Sequence, residues 1–424
     1  MIVGAGLAGL AAALELDANQ IPYQILEASD GIGGRVRTDE FEGFRLDRGF
    51  QVYLTAYPEG LRQLDYPALR FCRFAAGAYV RISGKFHKIA DPWRSPGGLI
   101  EALTSPVGTL RDKLRLRRLR RRLMRSTVEE ILQAPPQTTL GLLREEGFTR
   151  LIDRFFRPFL GGIMLDGSLQ PSSRMFEFVF KMMAEGDTAV PALGIGEIPK
   201  QLAARLKPDS IRLHARVEAI TANQVRLTNG ETLAASGVIV AADGTEAARL
   251  TERWAAPRWR SVTCLYFAAP EPPETGPWLI LNGNNQWPIN NLAVMSEVSP
   301  DYAPPGTALI SVTVIGKPSQ TDEELQHAVY AQLERWYGKA ARQWRHLRTY
   351  RIPMAQPETT PQLLRPASCR LGPGLYVAGD HLVMPSTNFA LQAGRLAAEA
   401  AIEDLAGRAP ASSPAERQAA EGGA

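Results

Sequence analysis

A glycine-rich loop at the start of the chain constrains the fold more than any other feature. Ile2 and Val3 precede the motif GAGLAG, and an alanine- and leucine-rich run follows it, which predicts a strand, a loop and a helix. Gly4 permits the tight turn, Gly6 allows backbone to approach a pyrophosphate, and Gly9 allows the helix to pack on the strand. The start of that helix offers free N–H groups to phosphates. The motif therefore predicts a βαβ unit that binds a dinucleotide.

The segment after this helix strengthens the prediction. IPYQILE is interpreted as a second strand ending at Glu27, where a carboxylate accepts hydrogen bonds from ribose hydroxyls. Gly33, Gly34 and Arg35 begin six residues later, so a second stretch of backbone approaches the dinucleotide and a cation lies beside its phosphates. Nicotinamide dehydrogenases have no use for this second glycine pair. Because strands normally span about five residues, we also expect the first half of the opening strand to be missing.

Composition excludes several classes of protein. Hydrophobic residues make up 45% and charged residues 22% of the 424 residues, as in a globular chain, and no apolar run is long enough for a membrane helix. The three cysteines, Cys72, Cys264 and Cys369, are too far apart for a disulfide scaffold or a zinc ribbon. They fit a reducing compartment, which predicts a cytoplasmic protein. The scattered histidines predict no metal site.

Four blocks follow one another along the chain: GAGLAG, E-x5-GGR, LDRGFQVY, and YVAGD with NFALQAGRLAAEA. In this order they resemble the flavin amine oxidase and phytoene desaturase superfamily. That group includes monoamine and amino-acid oxidases, protoporphyrinogen oxidases, and carotenoid desaturases and isomerases. The resemblance implies an α/β fold, in which a Rossmann-like, p-hydroxybenzoate-hydroxylase-like FAD domain carries an inserted α+β substrate domain.

The resemblance also implies a site for FAD. It places Glu27 on the adenosine ribose, Val217 on adenine through its backbone, and Asp380 at the pyrophosphate–ribityl region. A helix starting near Asn388 directs its positive end at the pyrimidine end of the flavin, where charge develops on reduction. The complete set of predicted cofactor contacts is Gly4, Gly6, Leu7, Ala8, Gly9, Glu27, Ala28, Gly33, Gly34, Arg35, Val217, Gly379, Asp380, Asn388, Phe389 and Ala390.

The order of these blocks divides the chain into alternating segments. The composition of the last segment, rich in Ala, Ser, Pro, Gly and Glu, predicts disorder. The predicted division is FAD-binding at 1–76, 205–260 and 362–406, substrate domain at 77–204 (largely helical) and 261–361, and a disordered tail at 407–424.

Large apolar residues concentrate in the inserted segments. FFRPFLGGIM, RMFEFVFKMM and WLIL are interpreted as the wall of a flexible cavity for a long or planar lipophilic molecule, with ordinary core packing as the alternative. The predicted reaction is removal of hydride from a C–H bond of an isoprenoid- or tetrapyrrole-like substrate to flavin N5. Oxygen and a membrane quinone both remain open as the final acceptor.

Two departures from the family pattern count against an amine or amino-acid oxidase. The strand RSVTCLYFAAP contains no lysine, and the position of an aromatic residue before the terminal helix falls at Ser386 or Thr387. That oxidase remains an alternative, as do a redox-neutral isomerase and a protein in which FAD is structural. No base is assigned, since Tyr53, Arg157, Ser386 and Thr387 are not ranked. His381 is interpreted as a solvated loop residue, with a place at the flavin as the alternative.

The run from Arg111 to Arg125 contains eight arginines. Leu110, Leu114, Leu119 and Leu123 are interpreted as one apolar stripe along a helix. That stripe suits either peripheral contact with an anionic membrane or packing on the helix's own domain, and the sequence leaves both open. No aromatic residue interleaves the arginines, so a nucleic-acid partner is not predicted.

Overall fold

The computed structural model describes residues 1–91, 94, 105–362 and 368–408. Residues 363–367 of the predicted third FAD segment and residues 409–424 of the predicted tail lie outside the described residues. The helices are α1 (Leu7–Ala18), α2 (Pro58–Gln63), α3 (Tyr66–Leu69), α4 (Leu110–Arg125), α5 (Val128–Gln133), α6 (Thr139–Glu145), α7 (Arg157–Met164), α8 (Ser173–Glu185), α9 (Glu197–Ala203), α10 (Gly244–Thr251), α11 (Met295–Val298), α12 (Asp322–Tyr337) and α13 (Thr387–Arg408).

Short strands account for most of the remaining regular structure. They are β1 (Ile2–Val3), β2 (Ile25–Leu26), β3 (Thr38–Phe41), β4 (Phe44–Asp47), β5 (Tyr53–Leu54), β6 (Cys72–Arg73), β7 (Gly77–Ile82), β8 (Lys85–Ala90), β9 (Thr188–Val190), β10 (Ile211–Arg212), β11 (Val217–Thr221), β12 (Gln224–Leu227), β13 (Thr232–Ala234), β14 (Val238–Val240), β15 (Trp259–Ala269), β16 (Leu279–Asn282), β17 (Asn291–Val294), β18 (Ala308–Ile315), β19 (Arg345–Pro357), β20 (Arg370–Gly372) and β21 (Leu375–Val377).

A six-stranded sheet carries the opening motif, in the order β10-β2-β1-β14-β21-β20. Its first five strands are parallel, and β20 joins antiparallel. The carboxyl ends of parallel strands meet at one edge of a sheet. The glycine loop after β1, Glu27 after β2 and Asp380 after β21 therefore come together, although Asp380 follows Glu27 by 353 positions.

A seven-stranded sheet forms a second layer, in the order β19-β15-β18-β17-β16-β7-β8. Leu325, Val329 and Leu333 of α12 are buried with residues of this sheet in one core cluster. A capping box starts α12, since the side chains of Thr321 and Glu324 each bond the other's backbone N–H. The segment 77–204 begins with the β7–β8 hairpin, which joins this sheet, before its helices start.

Candidate functional site

A continuous cavity of about 1140 Å³ is lined by both sheets and by the helices of the first insertion. Ordinary small-molecule pockets occupy about 300–1,000 Å³, so this cavity is large enough for a dinucleotide and part of a second ligand. Most of the predicted cofactor contacts line it. They are Gly4, Gly6, Leu7, Ala8, Glu27, Ala28, Gly33, Gly34, Arg35, Val217, Gly379, Asp380 and Ala390.

The two glycine loops pack against each other in the cavity wall. The N–H of Gly33 donates to the carbonyl oxygen of Ala5 at 2.8 Å. Gly33 has a φ of 100°, and a Cβ there would lie 2.4 Å from the carbonyl oxygen of Val36. Glycine is therefore required at position 33 by its positive φ and by the carbonyl of Val36, and the hydrogen bond to Ala5 holds Gly34 beside Gly6.

The three glycines of the first loop are needed for different reasons. A Cβ on Gly4 would lie 2.7 Å from the carbonyl oxygen of Ala241, and one on Gly9 would lie 1.9 Å from that of Gly4, so the fold itself needs both. Gly6 has a φ of −73° and a ψ of 179°, which any residue adopts. A Cβ on Gly6 would meet no described atom within 4 Å and would project into the cavity. Because Gly6 has no Cβ, the cavity keeps a space there that fits a bound pyrophosphate.

Glu27 is held in place by three hydrogen bonds. One carboxylate oxygen accepts from the N–H of Ala5 at 2.7 Å, and the other accepts from the N–H and hydroxyl of Ser29 at 2.8 and 2.7 Å. A carboxylate offers about four lone-pair sites, so capacity remains for a ribose hydroxyl. The same bonds tie the end of β2 to the first glycine loop.

Arg35 and Asp380 form an ion pair across the cavity wall. The guanidinium Nη2 lies 2.6 Å from Oδ1 of Asp380, and Nη1 donates to the carbonyl oxygen of Ala355 at 3.1 Å. The guanidinium carbon also lies 5.5 Å from the ring centroid of Trp259. The Arg35 side chain is 36% exposed and that of Asp380 is 8% exposed, so the cation keeps an open side toward solvent and ligand.

The start of α13 faces the cavity through Ser386, Thr387 and Ala390. Ser386 caps the helix, because its hydroxyl accepts from the N–H of Phe389 at 3.1 Å. The buried hydroxyl oxygen of Thr387 has no hydrogen-bond partner among the described residues. The carbonyl oxygens and ring nitrogens of a flavin would supply a hydrogen-bond partner for this hydroxyl. The residues at the start of α13 therefore fit a bound flavin.

Three predicted contacts point away from the cavity. Gly9 is buried against Gly4, and Phe389 packs with its ring centroid 4.9 Å from that of Phe178. The side-chain oxygen of Asn388 accepts from the backbone N–H of Glu59 at 3.0 Å. These three residues hold α1 and α13 in place and are not part of the cavity lining. The packing of Gly9 is the close approach predicted for it, and Asn388 and Phe389 face the protein interior because successive residues of a helix face different directions.

Aromatic and methionine side chains from the first insertion form another part of the wall. A π-helical turn, Ile152–Phe156, leads into α7, and the rings of Phe155 and Phe159 stack there with centroids 5.1 Å apart. The predicted segments FFRPFLGGIM and RMFEFVFKMM both contribute. Their lining residues are Phe155, Pro158, Phe159, Gly162, Ile163, Met175, Val179, Phe180 and Met183.

A polar cluster in the same wall was not predicted from the sequence. Arg48 pairs with Asp39 at 3.0 Å, and the hydroxyl of Tyr350 donates to Asp39 at 2.9 Å. Burial raises the pKa of Asp39, but the bonds from Arg48 and Tyr350 outweigh it and hold the pKa below its usual value. Burial raises the pKa of Tyr350 to about 12. At neutral pH the cluster therefore presents an ionised carboxylate and a protonated phenol.

The unranked candidates separate into two groups. Ser386 and Thr387 line the cavity, whereas Tyr53 is buried beside Tyr66, with their hydroxyl oxygens 3.2 Å apart. Arg157 pairs with Asp153 at 3.1 Å.

The interpretation of His381 as a solvated residue is wrong. Both of its ring nitrogens are buried, neither bonds to a described residue, and burial lowers its pKa.

The predicted single stripe on α4 is also wrong. Leu119 and Leu123 are fully buried, but Leu110 and Leu114 are 60% and 59% exposed. At 3.6 residues per turn, Leu119 lies half a turn around the helix from Leu110. The four leucines therefore form two strips on opposite faces, and only one of them packs on the protein.

A comparison with known families identifies the chain. The family described as flavin containing amine oxidoreductase matches residues 7–402. The chain belongs to this family. Membership confirms the resemblance, the α/β fold class and FAD as the cofactor, and the protein is an FAD-dependent oxidoreductase.

Solved structures similar to this flavin oxidoreductase share its fold. A protein from Exiguobacterium sp. 255-15, with a provisional assignment as a protoporphyrinogen oxidase, has a TM-score of 0.72 and 20% identity, covering 96% of this chain and 98% of its own. A putrescine oxidase has a TM-score of 0.70 and 16% identity, covering 95% and 98%. Cyclohexylamine oxidase from Brevibacterium oxydans IH-35A has a TM-score of 0.70 and 16% identity, covering 96% and 98%.

A curated relative matches over a shorter region. Protoporphyrinogen oxidase 2, chloroplastic/mitochondrial, of Arabidopsis thaliana is 26% identical over 208 residues. That match spans 48% of this flavin oxidoreductase and 39% of the relative. Among the described residues, no helix combines the length and apolar character needed to cross a membrane.

Asp47 lies beneath the cavity at the end of β4 and is 1% exposed. Its carboxylate accepts from the hydroxyls of Thr38 and Tyr302 at 2.6 and 2.7 Å, and from the N–H of Ile195 at 3.0 Å. Burial raises its pKa to about 6, against the lowering effect of these bonds. The loop that follows, from Arg48 to Val52, lines the cavity.

This raised pKa predicts a pH-dependent stability. The unfolded chain ionises Asp47 near pH 4, so folding favours the protonated form, and stability falls as the pH rises from about 4 to about 6. We expect the free energy of unfolding of Asp47→Asn, minus that of the wild type, to increase by about 2 kcal/mol between pH 4 and pH 7. Urea unfolding of both FAD-loaded proteins measures this, and a pH-independent difference would contradict it.

Proposed function

We propose that this FAD-dependent oxidoreductase removes hydride from a C–H bond of a lipophilic substrate of isoprenoid or tetrapyrrole type. The observation that carries the proposal is the continuity of one cavity from the glycine loops to the aromatic and methionine wall. Such a wall holds a large planar or extended molecule by dispersion and desolvation. When bound, the flavin supplies the hydride acceptor at N5, and the cofactor carries the redox chemistry.

The chain's own residues have three proposed roles. The glycine loops, Glu27 and the Arg35–Asp380 pair bind the dinucleotide, and the start of α13 supports negative charge at the pyrimidine end of the flavin. Phe155, Phe159 and Met183 exclude water and orient the substrate. We also propose the division of the chain into FAD segments at 1–76, 205–260 and 362–406 and substrate segments at 77–204 and 261–361.

The names of the similar proteins support both the main proposal and its rival. A protoporphyrinogen oxidase has a tetrapyrrole substrate by name, and the two amine oxidases share the fold. Against an amine substrate, β15 contains no lysine, and the cavity residues at the start of α13 are Ser386 and Thr387. The lining therefore favours the lipophilic class.

Anaerobic reduction of the bound flavin tests this proposal. The oxidised protein is mixed with amines and amino acids, or with carotenes, porphyrinogens and a lipid extract in micelles, and flavin absorbance is followed. We expect bleaching by the lipophilic panel alone. Bleaching by an amine would favour the amine oxidase. Silence from both panels would favour a redox-neutral isomerase or a structural role for FAD.

A charge placed in the apolar wall should slow this reduction. Met183 lines the cavity, and Met183→Glu exposes the entering substrate to a carboxylate that must lose its hydration. We expect the bleaching rate at limiting substrate to fall roughly tenfold to 100-fold, in line with the burial of one apolar side chain. Leu61, which is 62% exposed on α2, provides the control variant Leu61→Glu. Equal rates for the two variants would place the substrate elsewhere.

A further inference from the structure

We propose that the outward face of α4 docks on an anionic lipid bilayer. Three of its apolar side chains project to solvent, with Leu110 60%, Leu114 59% and Met124 38% exposed. Arg117 and Arg121 lie between them on the same face, because positions three and four apart align on a helix. The inward strip of Leu119 and Leu123 already anchors the helix, so packing on its own domain does not account for the outward leucines.

The charge around this face identifies the kind of surface it fits. Arg111, Arg118 and Arg125 are exposed along one side of the outward strip. The acidic residue of the helix, Asp112, is buried and accepts hydrogen bonds from Thr109 and Thr149. Leucines that insert among lipid chains, flanked by arginines that meet anionic headgroups, match the pattern of a helix lying in a membrane interface. A second copy of the same face would be repelled by like charge.

The position of the cavity gives this docking a consequence. Lys113, Leu116 and Arg120 follow one another along the adjacent face of α4, and all three line the cavity. The outward face of α4 therefore presents exposed leucines to solvent, and the adjacent face of the same helix forms part of the cavity wall. Docking through the outward face brings that wall to the bilayer, where a lipophilic molecule is dissolved.

Vesicle flotation tests the docking directly. The FAD-loaded protein is mixed with vesicles of phosphatidylcholine, with or without phosphatidylglycerol, at low and high salt. We expect flotation with the anionic vesicles and loss of flotation at high salt, since each arginine near an anionic surface contributes a factor of about five to partition. Flotation with both vesicle types to the same extent, or with neither, would overturn the proposal.

Two variants separate the leucines from the arginines. Leu110→Ser with Leu114→Ser should lower partition to anionic vesicles at least about tenfold, because buried apolar area drives insertion. Arg117→Gln with Arg121→Gln should lower partition to phosphatidylglycerol vesicles by about 25-fold, at about fivefold for each arginine, and leave partition to phosphatidylcholine unchanged. The control is Leu61→Ser with Leu213→Ser, at sites 62% and 37% exposed, which should float as the wild type does.

An unchanged flavin spectrum shows that each variant remains folded. If Leu110→Ser with Leu114→Ser floated as well as the wild type, the proposed role of the outward face would be overturned. Binding to single-stranded RNA in place of vesicles would show that the arginines bind a nucleic acid, and would overturn the proposal that α4 docks on a bilayer. Flotation does not depend on turnover, so this result is separate from the identity of the substrate.

Discussion

Replacement of Gly6 by valine is expected to yield a folded protein that no longer binds FAD. The backbone at Gly6 is compatible with any residue, and a Cβ there meets no described atom within 4 Å, so the fold does not oppose the change. The added side chain fills the space beside the glycine-loop N–H groups and keeps a pyrophosphate away from them. With one or two charge-assisted hydrogen bonds lost at about 1.5–3 kcal/mol each, FAD affinity should fall on the order of 100-fold.

Flavin content after purification and fluorescence titration with FAD measure this effect, and circular dichroism checks the fold. Gly372 offers a matched control in the same sheet, since a Cβ there also meets no described atom within 4 Å. Gly372→Val should therefore retain FAD. Gly4→Ala should behave differently from both and fold poorly, because its Cβ would lie 2.7 Å from the carbonyl oxygen of Ala241. Normal FAD affinity in Gly6→Val would place the pyrophosphate away from this loop.

Local patterns were enough to predict the framework of this site. The strand–loop–helix order around Gly4 to Gly9, the turn at Gly33-Gly34 and the helix after YVAGD are each encoded within a few residues. Their meeting at one sheet edge follows from a general property of parallel strands, so no contact between distant residues had to be known. Asp380 and Glu27 both line the cavity for this reason, and their contacts with FAD stay a prediction.

Partners that are distant in sequence could not be predicted in the same way. Arg35 and Asp380 are 345 positions apart, and Asp39 and Tyr350 are 311 apart, and no local pattern encodes either pair. The leucines of α4 show a different limit. Spacing alone placed Leu110 and Leu119 on one stripe, although nine residues amount to two and a half turns. The direction in which each helical residue faces had to come from the structure.

Asn388 illustrates the same limit and leads to the second large effect. Its side-chain oxygen, predicted to lie at the pyrimidine end of the flavin, accepts from the N–H of Glu59 at the start of α2. The carboxylate of Glu59 accepts from Arg395 of α13 through Nη2 at 2.5 Å and Nε at 3.1 Å. These side chains are only 7% and 13% exposed. Burial raises the pKa of Glu59, but hydrogen bonds from Arg395 and Gln63 outweigh it and hold the pKa below its usual value.

We expect Arg395→Met to lower the free energy of unfolding by about 3–5 kcal/mol, because it leaves the Glu59 carboxylate buried without its cation. Urea unfolding of the FAD-loaded protein measures the loss. Lys200→Met, which removes a pair whose lysine is 61% exposed, should change stability by less than about 1 kcal/mol. Adding Glu59→Gln to Arg395→Met should recover much of the loss, since a neutral amide is less costly to bury than a carboxylate.

The same pair positions α13 against α2, and this connects stability to the cofactor. Asn388 and Arg395 both fasten α13 to α2, while Ser386 and Thr387 at its start face the cavity. A helix released from α2 no longer holds its N-terminus against the flavin. Arg395→Met should therefore also weaken FAD binding, and Glu59→Gln in the same chain should restore it together with stability. Restored stability without restored FAD affinity would show that the pair and the flavin end of α13 act independently.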